Sequence, residues 1–244
     1  MKRPCPHFLL PLLCLSILLA PLAFSSPAFS QEQLIKKRFE EKVTQGKKIT
    51  SVKKSPFPAL YEVRIGSRIL YTDSQAQYLL NGNLFDIETR RNYTQESEDE
   101  FNRIPFATLP LQHAIKRVRG KGERVVAVFS DPNCGYCKQL ESLLREEDNL
   151  TVYLFPLNIL EGSSALSRDI WCADNREKAW AAWMLEDKRP GTAGEQCTYS
   201  DQTVRQFATK HDITGTPVLI LKNGARITGL PSREELGKIL DASR

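Results

Sequence analysis

The spacing of hydrophobic positions changes along the chain, and each change marks an element. Phe8 to Phe24 is an almost unbroken apolar run, behind Met1-Lys2-Arg3 and ahead of small residues ending at Ala28-Phe29-Ser30. From Gln31 to Thr44, Leu34, Ile35, Phe39 and Val43 stand among charges at helical spacing, which predicts a short amphipathic helix. Alternation by two follows. Ile49 and Val52 sit among Lys and Thr, and Tyr61-Glu62-Val63-Arg64-Ile65 alternates cleanly, so one strand face should be buried and the other wet. Ile69-Leu70-Tyr71, Tyr78-Leu79-Leu80 and Leu84-Phe85-Asp86-Ile87 continue as strands, with Gly66-Ser67 and Asn81-Gly82-Asn83 as turns. Residues 31–92 therefore read as a small α+β unit with a thin core. Such a unit gains stability by pairing with a copy of itself through exposed edge strands such as Tyr61 to Ile65.

Residues 93–120 read as a connector. Tyr93 to Asp99 is polar and acidic, Pro105 and Pro110 interrupt, and a helix is expected after Pro110 because Leu111, Ala114, Ile115 and Val118 share one face. Lys116-Arg117-Val118-Arg119 would be its solvated basic end, facing its own dipole. Over 121–244 the elements are clearer. Val125 to Phe129 is a continuous apolar strand, Ser130-Asp131-Pro132-Asn133 a turn, and Cys134 opens a helix with Tyr136, Leu140, Leu143 and Leu144 on one side. Val152 to Phe155 is a second buried strand, and a mostly helical stretch runs from Ser163 to about Lys210. Val218 to Leu221, an Asn223-Gly224 turn, Ile227 to Leu230 and a helix capped by Ser232 and Glu235 complete the chain. The order β, α, β, helical insertion, β, β, α is that of a thioredoxin fold. The expected whole is an α+β N-terminal dimerisation domain joined by a linker helix to an α/β thioredoxin-like domain with a helical insertion.

Composition narrows the function. Of 244 residues 41% are hydrophobic, and a mean hydropathy of −0.36 excludes a polytopic membrane protein. The net charge is +5, of which Lys2 and Arg3 supply two, while residues 1–30 hold no acid; the remainder is too weakly basic to suggest a nucleic-acid partner. The basic start, apolar run and small residues form a secretory signal peptide over 1–30, cleaved at Ser30/Gln31 or, alternatively, Ser25/Ser26. Pro11 and Pro21 break the run and argue against a retained anchor, and Pro11-Leu12-Leu13 lacks the small residue that lipidation of Cys14 would need.

Export makes disulfides permissible, and signal removal leaves Cys134, Cys137, Cys172 and Cys197. Four cysteines allow three pairings. Only Cys134-Gly135-Tyr136-Cys137 is a C-x-x-C, so the two close pairs of a zinc site are missing, and no metal or cofactor is expected. Thiol exchange requires a thiolate, which a helix N-terminus favours. Cys134 is placed there as the attacking sulfur, and Cys137, one turn on, as the resolving one; an inert tight disulfide is the bland alternative. Thr216-Pro217 precedes a strand and marks either its start or the proline that faces the C-x-x-C in thioredoxin-like folds, presenting the Thr216 backbone to an extended substrate. Gly135 and Tyr136 would share that substrate surface. Cys172 and Cys197 read as a structural disulfide, with a second redox centre as the alternative. His113 and His211 have no acid at a telling spacing and give no support to a Cys-His hydrolase.

Phe129-Ser130-Asp131-Pro132-Asn133-Cys134-Gly135-Tyr136-Cys137-Lys138, Asp169-Ile170-Trp171-Cys172-Ala173, Gly215-Thr216-Pro217 and Leu60-Tyr61-Glu62-Val63 resemble the DsbC-type periplasmic thiol:disulfide interchange proteins. The resemblance implies a V-shaped homodimer whose two thioredoxin-like domains face a cleft for misfolded, disulfide-containing exported proteins. It also implies a membrane thiol electron donor that keeps the active cysteines reduced, and a structural second cysteine pair. Two departures stand out. Val128 occupies the place of the buried acid behind the C-x-x-C of thioredoxin, so the proton of Cys137 needs another group or water. Pro105 and Pro110 break the connector. Three functions compete: an isomerase and reductase of wrong disulfides, a dithiol oxidase, and a redox-inert holdase chaperone.

Overall fold

The structure, a computed structural model, describes residues 30–44, 48–66 and 68–242; the expected signal segment, Ser30 apart, and Ser67 of the expected turn lie outside the described residues. Ser30 caps helix α1 (Gln31–Lys42) in a reciprocal box: its hydroxyl accepts from the Gln33 N–H, and the Gln33 side chain accepts from the Ser30 N–H. α1 lays Ile35 and Phe39 on a four-stranded antiparallel sheet in the order β1 (Ile49–Lys54), β2 (Tyr61–Ile65), β3 (Arg68–Thr72), β4 (Leu79–Leu80). Ile49, Tyr61, Val63 and Leu70 complete this core.

Three expectations for this unit are corrected. First, β2 has no wet face. Glu62 and Arg64 are buried beneath helix α2 (Tyr93–Phe101), which forms from the acidic stretch expected to be plain connector. The Ser97 hydroxyl donates to the Glu62 carboxylate at 2.8 Å, the Ser97 carbonyl accepts from the Arg64 guanidinium at 2.9 Å, and that guanidinium lies 3.9 Å from the Phe101 ring centre. Buried charges persist where partners satisfy them, and periodicity carries no information about partners. Second, β2 pairs with both β1 and β3, so the free edges are β1 and β4. Third, Leu84 to Ile87 forms no strand, only an isolated pairing of Phe85 with Asn92.

The helix expected after Pro110 is also replaced. Leu111–His113 is one 3-10 turn, and Ile115–Arg119 is strand β5. Ile115 and Val118 are β-branched, and the open edge of β7 (Leu150–Pro156) offers hydrogen bonds that only a strand can use. The resulting sheet runs β5-β7-β6-β8-β9, with β6 (Arg124–Ser130) central, parallel to β7 and antiparallel to β8 (Val218–Leu221), and β9 (Arg226–Thr228) at the far edge. Alternation along β6 sends Val126 and Val128 to one apolar layer and Ala127 and Phe129 to the other. Helices α3 (Gly135–Glu146), α4 (Ser163–Trp171), α5 (Arg176–Glu186), α6 (Gln202–Lys210) and α7 (Arg233–Asp241) cover the sheet. The helical insertion is interrupted between α5 and α6, where Cys197 bonds Cys172 with Cα atoms 6.0 Å apart. Only Asn102 and Arg103 lie between the end of α2 and Ile104, which is buried in the thioredoxin-like layer beside Phe129. Ile104 donates its N–H to the Gly224 carbonyl at 2.9 Å, and a Cβ on Gly224, at φ +84, would approach the Ile104 carbonyl oxygen to 3.0 Å.

Candidate active site

The site is built where β6 gives way to α3. Asp131, fully buried, turns the chain: its carboxylate accepts from the Asn133 N–H at 2.8 Å, the Ile159 N–H at 2.7 Å, the Leu160 N–H at 2.9 Å and the Ser163 hydroxyl at 2.5 Å. Its carbonyl accepts from the Cys134 N–H at 3.1 Å. One side chain thus ties the turn to the loop after β7 and fixes Cys134 at the N-cap of α3. The sequence reading missed Asp131 as a site residue. The available signal was an Asx-turn residue between an apolar strand and a helix-opening cysteine. The Trp183 indole N–H adds a bond to the Pro132 carbonyl at 2.7 Å.

Cys134 and Cys137 are both free thiols. Cys134 retains 8% exposure and its sulfur contacts the Thr216 carbonyl at 3.5 Å, whereas Cys137 retains 1%. Burial pushes the Cys137 thiol up to about 11, an effect that neighbouring Cys134 adds to and that the nearby Ser130 and Thr216 side chains and the Asp131 backbone oppose. The Thr216-Pro217 bond is cis, and Thr216 is the residue that the structure brings against the cysteines. Gly135 and Tyr136 are exposed. For Tyr136 this corrects the expected core-facing position: the buried stripe of α3 is Cys137, Leu140, Glu141 and Leu144, an i, i+3, i+4, i+7 set that excludes it. Glu141 on that stripe is paired with Arg117 of β5 and Arg145. His211 stands apart, tilted against Phe207 with ring centres 4.5 Å apart. Among the described residues no group of His, Cys, Asp and Glu could hold a metal ion.

A nearly buried sulfur at a helix N-terminus, a fully buried second thiol one turn on and a proline turn facing both define a thioredoxin-fold dithiol oxidoreductase site. Comparison with known proteins carries this further. Residues 111–244 match the thioredoxin-like domain, and residues 26–95 match the disulfide bond isomerase protein N-terminal domain. The chain is 41% identical over 207 residues to the probable thiol:disulfide interchange protein DsbC of Bordetella parapertussis, covering 84% of this chain and 73% of that relative. It is 27% identical over 234 residues to the thiol:disulfide interchange protein DsbC of Dickeya dadantii, covering 93% of each. The crystal structure of a disulfide interchange protein from Neisseria gonorrhoeae aligns with a TM-score of 0.53 and 33% identity, over 55% of this chain and 98% of that one. This chain belongs to the DsbC family of thiol:disulfide interchange proteins.

Proposed function

We propose that this protein isomerises and reduces incorrect disulfides in exported proteins, with Cys134 attacking and Cys137 resolving. The observation that carries the assignment of roles is the asymmetry of the two sulfurs: Cys134 caps the helix with residual exposure, and Cys137 is enclosed. Attack by the Cys134 thiolate forms a mixed disulfide and releases one substrate sulfur as thiolate. Isomerisation ends when a different substrate thiol expels Cys134. Reduction ends when Cys137 does so, leaving Cys134 and Cys137 joined until a membrane thiol donor reduces them. The Thr216 backbone and Pro217, with exposed Gly135 and Tyr136, form the surface on which an extended substrate lies. The Cys172–Cys197 bond acts as a structural staple.

The N-terminal unit supports a homodimer and so favours isomerase over oxidase. Its β1 edge carries Lys53 and Lys54, which discourage pairing, but its β4 edge exposes Leu79 and Leu80 beside Tyr78, Phe85 and Ile87. Two copies joined at β4 would cover this apolar group and hold two catalytic domains around one substrate. The periplasm is the compartment this reading requires, reached through the signal at 1–30. Cleavage at Ser25/Ser26 keeps the Ser30 cap of α1, whereas the Ser30/Gln31 site would remove it at a cost of about 1 kcal/mol. Among the described residues no helix is long and apolar enough to cross a membrane.

The test is a pair of variants assayed on a scrambled-disulfide protein. Cys134→Ser should abolish isomerisation. Cys137→Ser should keep part of it while accumulating substrate bound to Cys134. Equal behaviour of the two variants refutes the division of roles, and activity retained in Cys134→Ser refutes the assignment.

A further inference from the structure

Among the described residues, the exposed large hydrophobic side chains of the thioredoxin-like domain are Val118, Tyr136, Ile159, Leu160 and Leu185. Tyr136, Ile159 and Leu160 border the turn that carries Cys134. Tyr136 follows Cys134 by two residues. Ile159 and Leu160 lie on the loop after β7 and give their N–H groups to the Asp131 carboxylate at 2.7 and 2.9 Å, while the Asp131 carbonyl accepts from the Cys134 N–H at 3.1 Å. The Asn133 side-chain amide ties the same loop down again, donating to the Glu161 carbonyl at 2.9 Å. The loop is anchored on both sides of the apolar pair. Leu157 is buried and donates its N–H to the Ser130 carbonyl at 2.9 Å, and the Asn158 side chain is held by Tyr199, Asp201 and Ser167. Buried Ser163 donates its hydroxyl to Asp131. Between these anchors Ile159 and Leu160 each keep 46% of their surface in water. A pliant loop would fold such side chains away, whereas this one holds them out. Apolar side chains kept exposed beside a reacting sulfur mark a recognition surface, and a loop already fixed loses little further entropy on binding.

We propose that Ile159 and Leu160 form a specificity ledge for the residue two positions from the substrate cysteine, so that disulfides with a bulky aliphatic or aromatic side chain there are attacked preferentially. This rests on the reading of Cys134 as the attacking sulfur and of the Thr216-Pro217 turn as the bed of an extended substrate. In an extended segment successive side chains alternate between faces at about 3.3 Å per residue. When the substrate cysteine points at Cys134, its immediate neighbours point away. The residues two positions off point back at the enzyme, about 7 Å along the segment. A ledge joined to Cys134 through the single residue Asp131 stands on that scale of distance. It belongs to one loop, so the preference falls on one side of the substrate cysteine. Large apolar side chains are mostly enclosed in a correctly folded protein and accessible in a misfolded one. The ledge therefore directs Cys134 toward disulfides in segments that have not found their place. In the step it favours, the Cys134 thiolate bonds one substrate sulfur, the substrate S–S bond breaks, and its electron pair leaves on the other substrate sulfur.

The experiment measures second-order rate constants for the reduced full-length protein with symmetrical disulfides of short peptides, each a central cysteine flanked by serines. Leu then replaces Ser at one position at a time. Leu two positions from the cysteine, on one side, should raise the rate about tenfold over the all-Ser peptide, and Leu adjacent to the cysteine should change it by less than about twofold. The double variant Ile159→Ser with Leu160→Ser should bring the tenfold ratio down to about one. Ile159→Ala and Leu160→Ala, made singly, should each lower it partway, so a double variant that misfolds leaves these to decide. Val118→Ser, which removes an exposed apolar side chain on edge strand β5, should keep the full ratio. Equal rates on the Leu and Ser peptides, a preference at the adjacent positions, a ratio unchanged in the ledge variants or a ratio lost in Val118→Ser overturns the inference. A Cys134→Ser protein that still forms mixed disulfides with these peptides overturns instead the role assignment beneath it.

Discussion

The N-terminal unit and the thioredoxin-like domain are both built on a sheet, but they bury it differently. The catalytic sheet has an apolar layer on each face, one around Val126, Val128, Leu140 and Leu219, the other around Phe129, Phe155, Ile104 and Val218. The N-terminal sheet has one apolar layer under α1, and its second face, beneath α2, mixes buried Ile69 and Tyr71 with the polar contacts of Glu62, Arg64, Lys53 and Ser97. Apolar burial contributes roughly 25 cal/mol per Å² wherever it occurs, while a buried ion pair roughly offsets its own desolvation. The thioredoxin-like domain is therefore the better stabilised of the two. The N-terminal unit has the smaller apolar core, and it leaves Leu79, Leu80 and Ile87 in water. On the proposed reading, the chemistry sits on the thioredoxin-like half and assembly falls to the N-terminal half.

The comparison can be broken most strongly on the catalytic side. Cys172→Ala opens a bond spanning a sequence separation of 25 and should cost about 3.5 kcal/mol on the loop-entropy estimate. Denaturant unfolding should show the loss in the thioredoxin-like domain only, with thiol exchange intact below the transition. Next is the β4 edge. Leu80→Lys should weaken dimerisation by about 3 kcal/mol, roughly 100-fold, in sedimentation equilibrium. Val118→Lys, the same change on exposed β5 of the other sheet, should leave association untouched. If both variants, or neither, alter the oligomer, the two halves do not divide as described. A smaller effect is expected from Ser97→Ala, which deprives Glu62 of a donor and should lower N-terminal stability by about 1–2 kcal/mol without altering exchange at Cys134.

A last effect, seen only at alkaline pH, is a pH dependence confined to the catalytic half. An unfolded cysteine ionises near 9.0 and the buried Cys137 near 11, so the contribution of this group to stability is complete below 9.0 and lost as pH rises toward about 11. Thermal unfolding of the reduced protein should fall across that window more steeply than that of Cys137→Ala. Parallel curves would show that Cys137 is not enclosed.

Much of this was legible in the pattern of residues. α1, the strands at Tyr61 to Ile65 and Val125 to Phe129, the cysteine at the mouth of a helix and the Ser232–Glu235 box were read from spacing, because each is fixed by local period and capping chemistry. The fold class and the placing of the C-x-x-C followed from their order. Where the reading failed, the deciding partner lay far along the chain. Ile115 to Arg119 has the spacing of a helix face and becomes a strand because β7 offers an open edge. Glu62 and Arg64 look solvent-facing and are buried because Ser97, more than thirty residues away, meets both of them.

The sequence by itself determined α1, the strands around Val63 and Val126, which sulfur heads a helix and which family the chain resembles, since these depend on neighbours within a turn or a strand. Tertiary structure alone decided the surroundings of the dithiol. The four donors that hold Asp131 arrive from the turn after β6, the loop after β7 and α4, and the Thr216 carbonyl reaches the Cys134 sulfur from the proline turn. No local period encodes that meeting. It arises when burial in a low-dielectric core obliges each polar group to find a partner, wherever in the chain that partner lies.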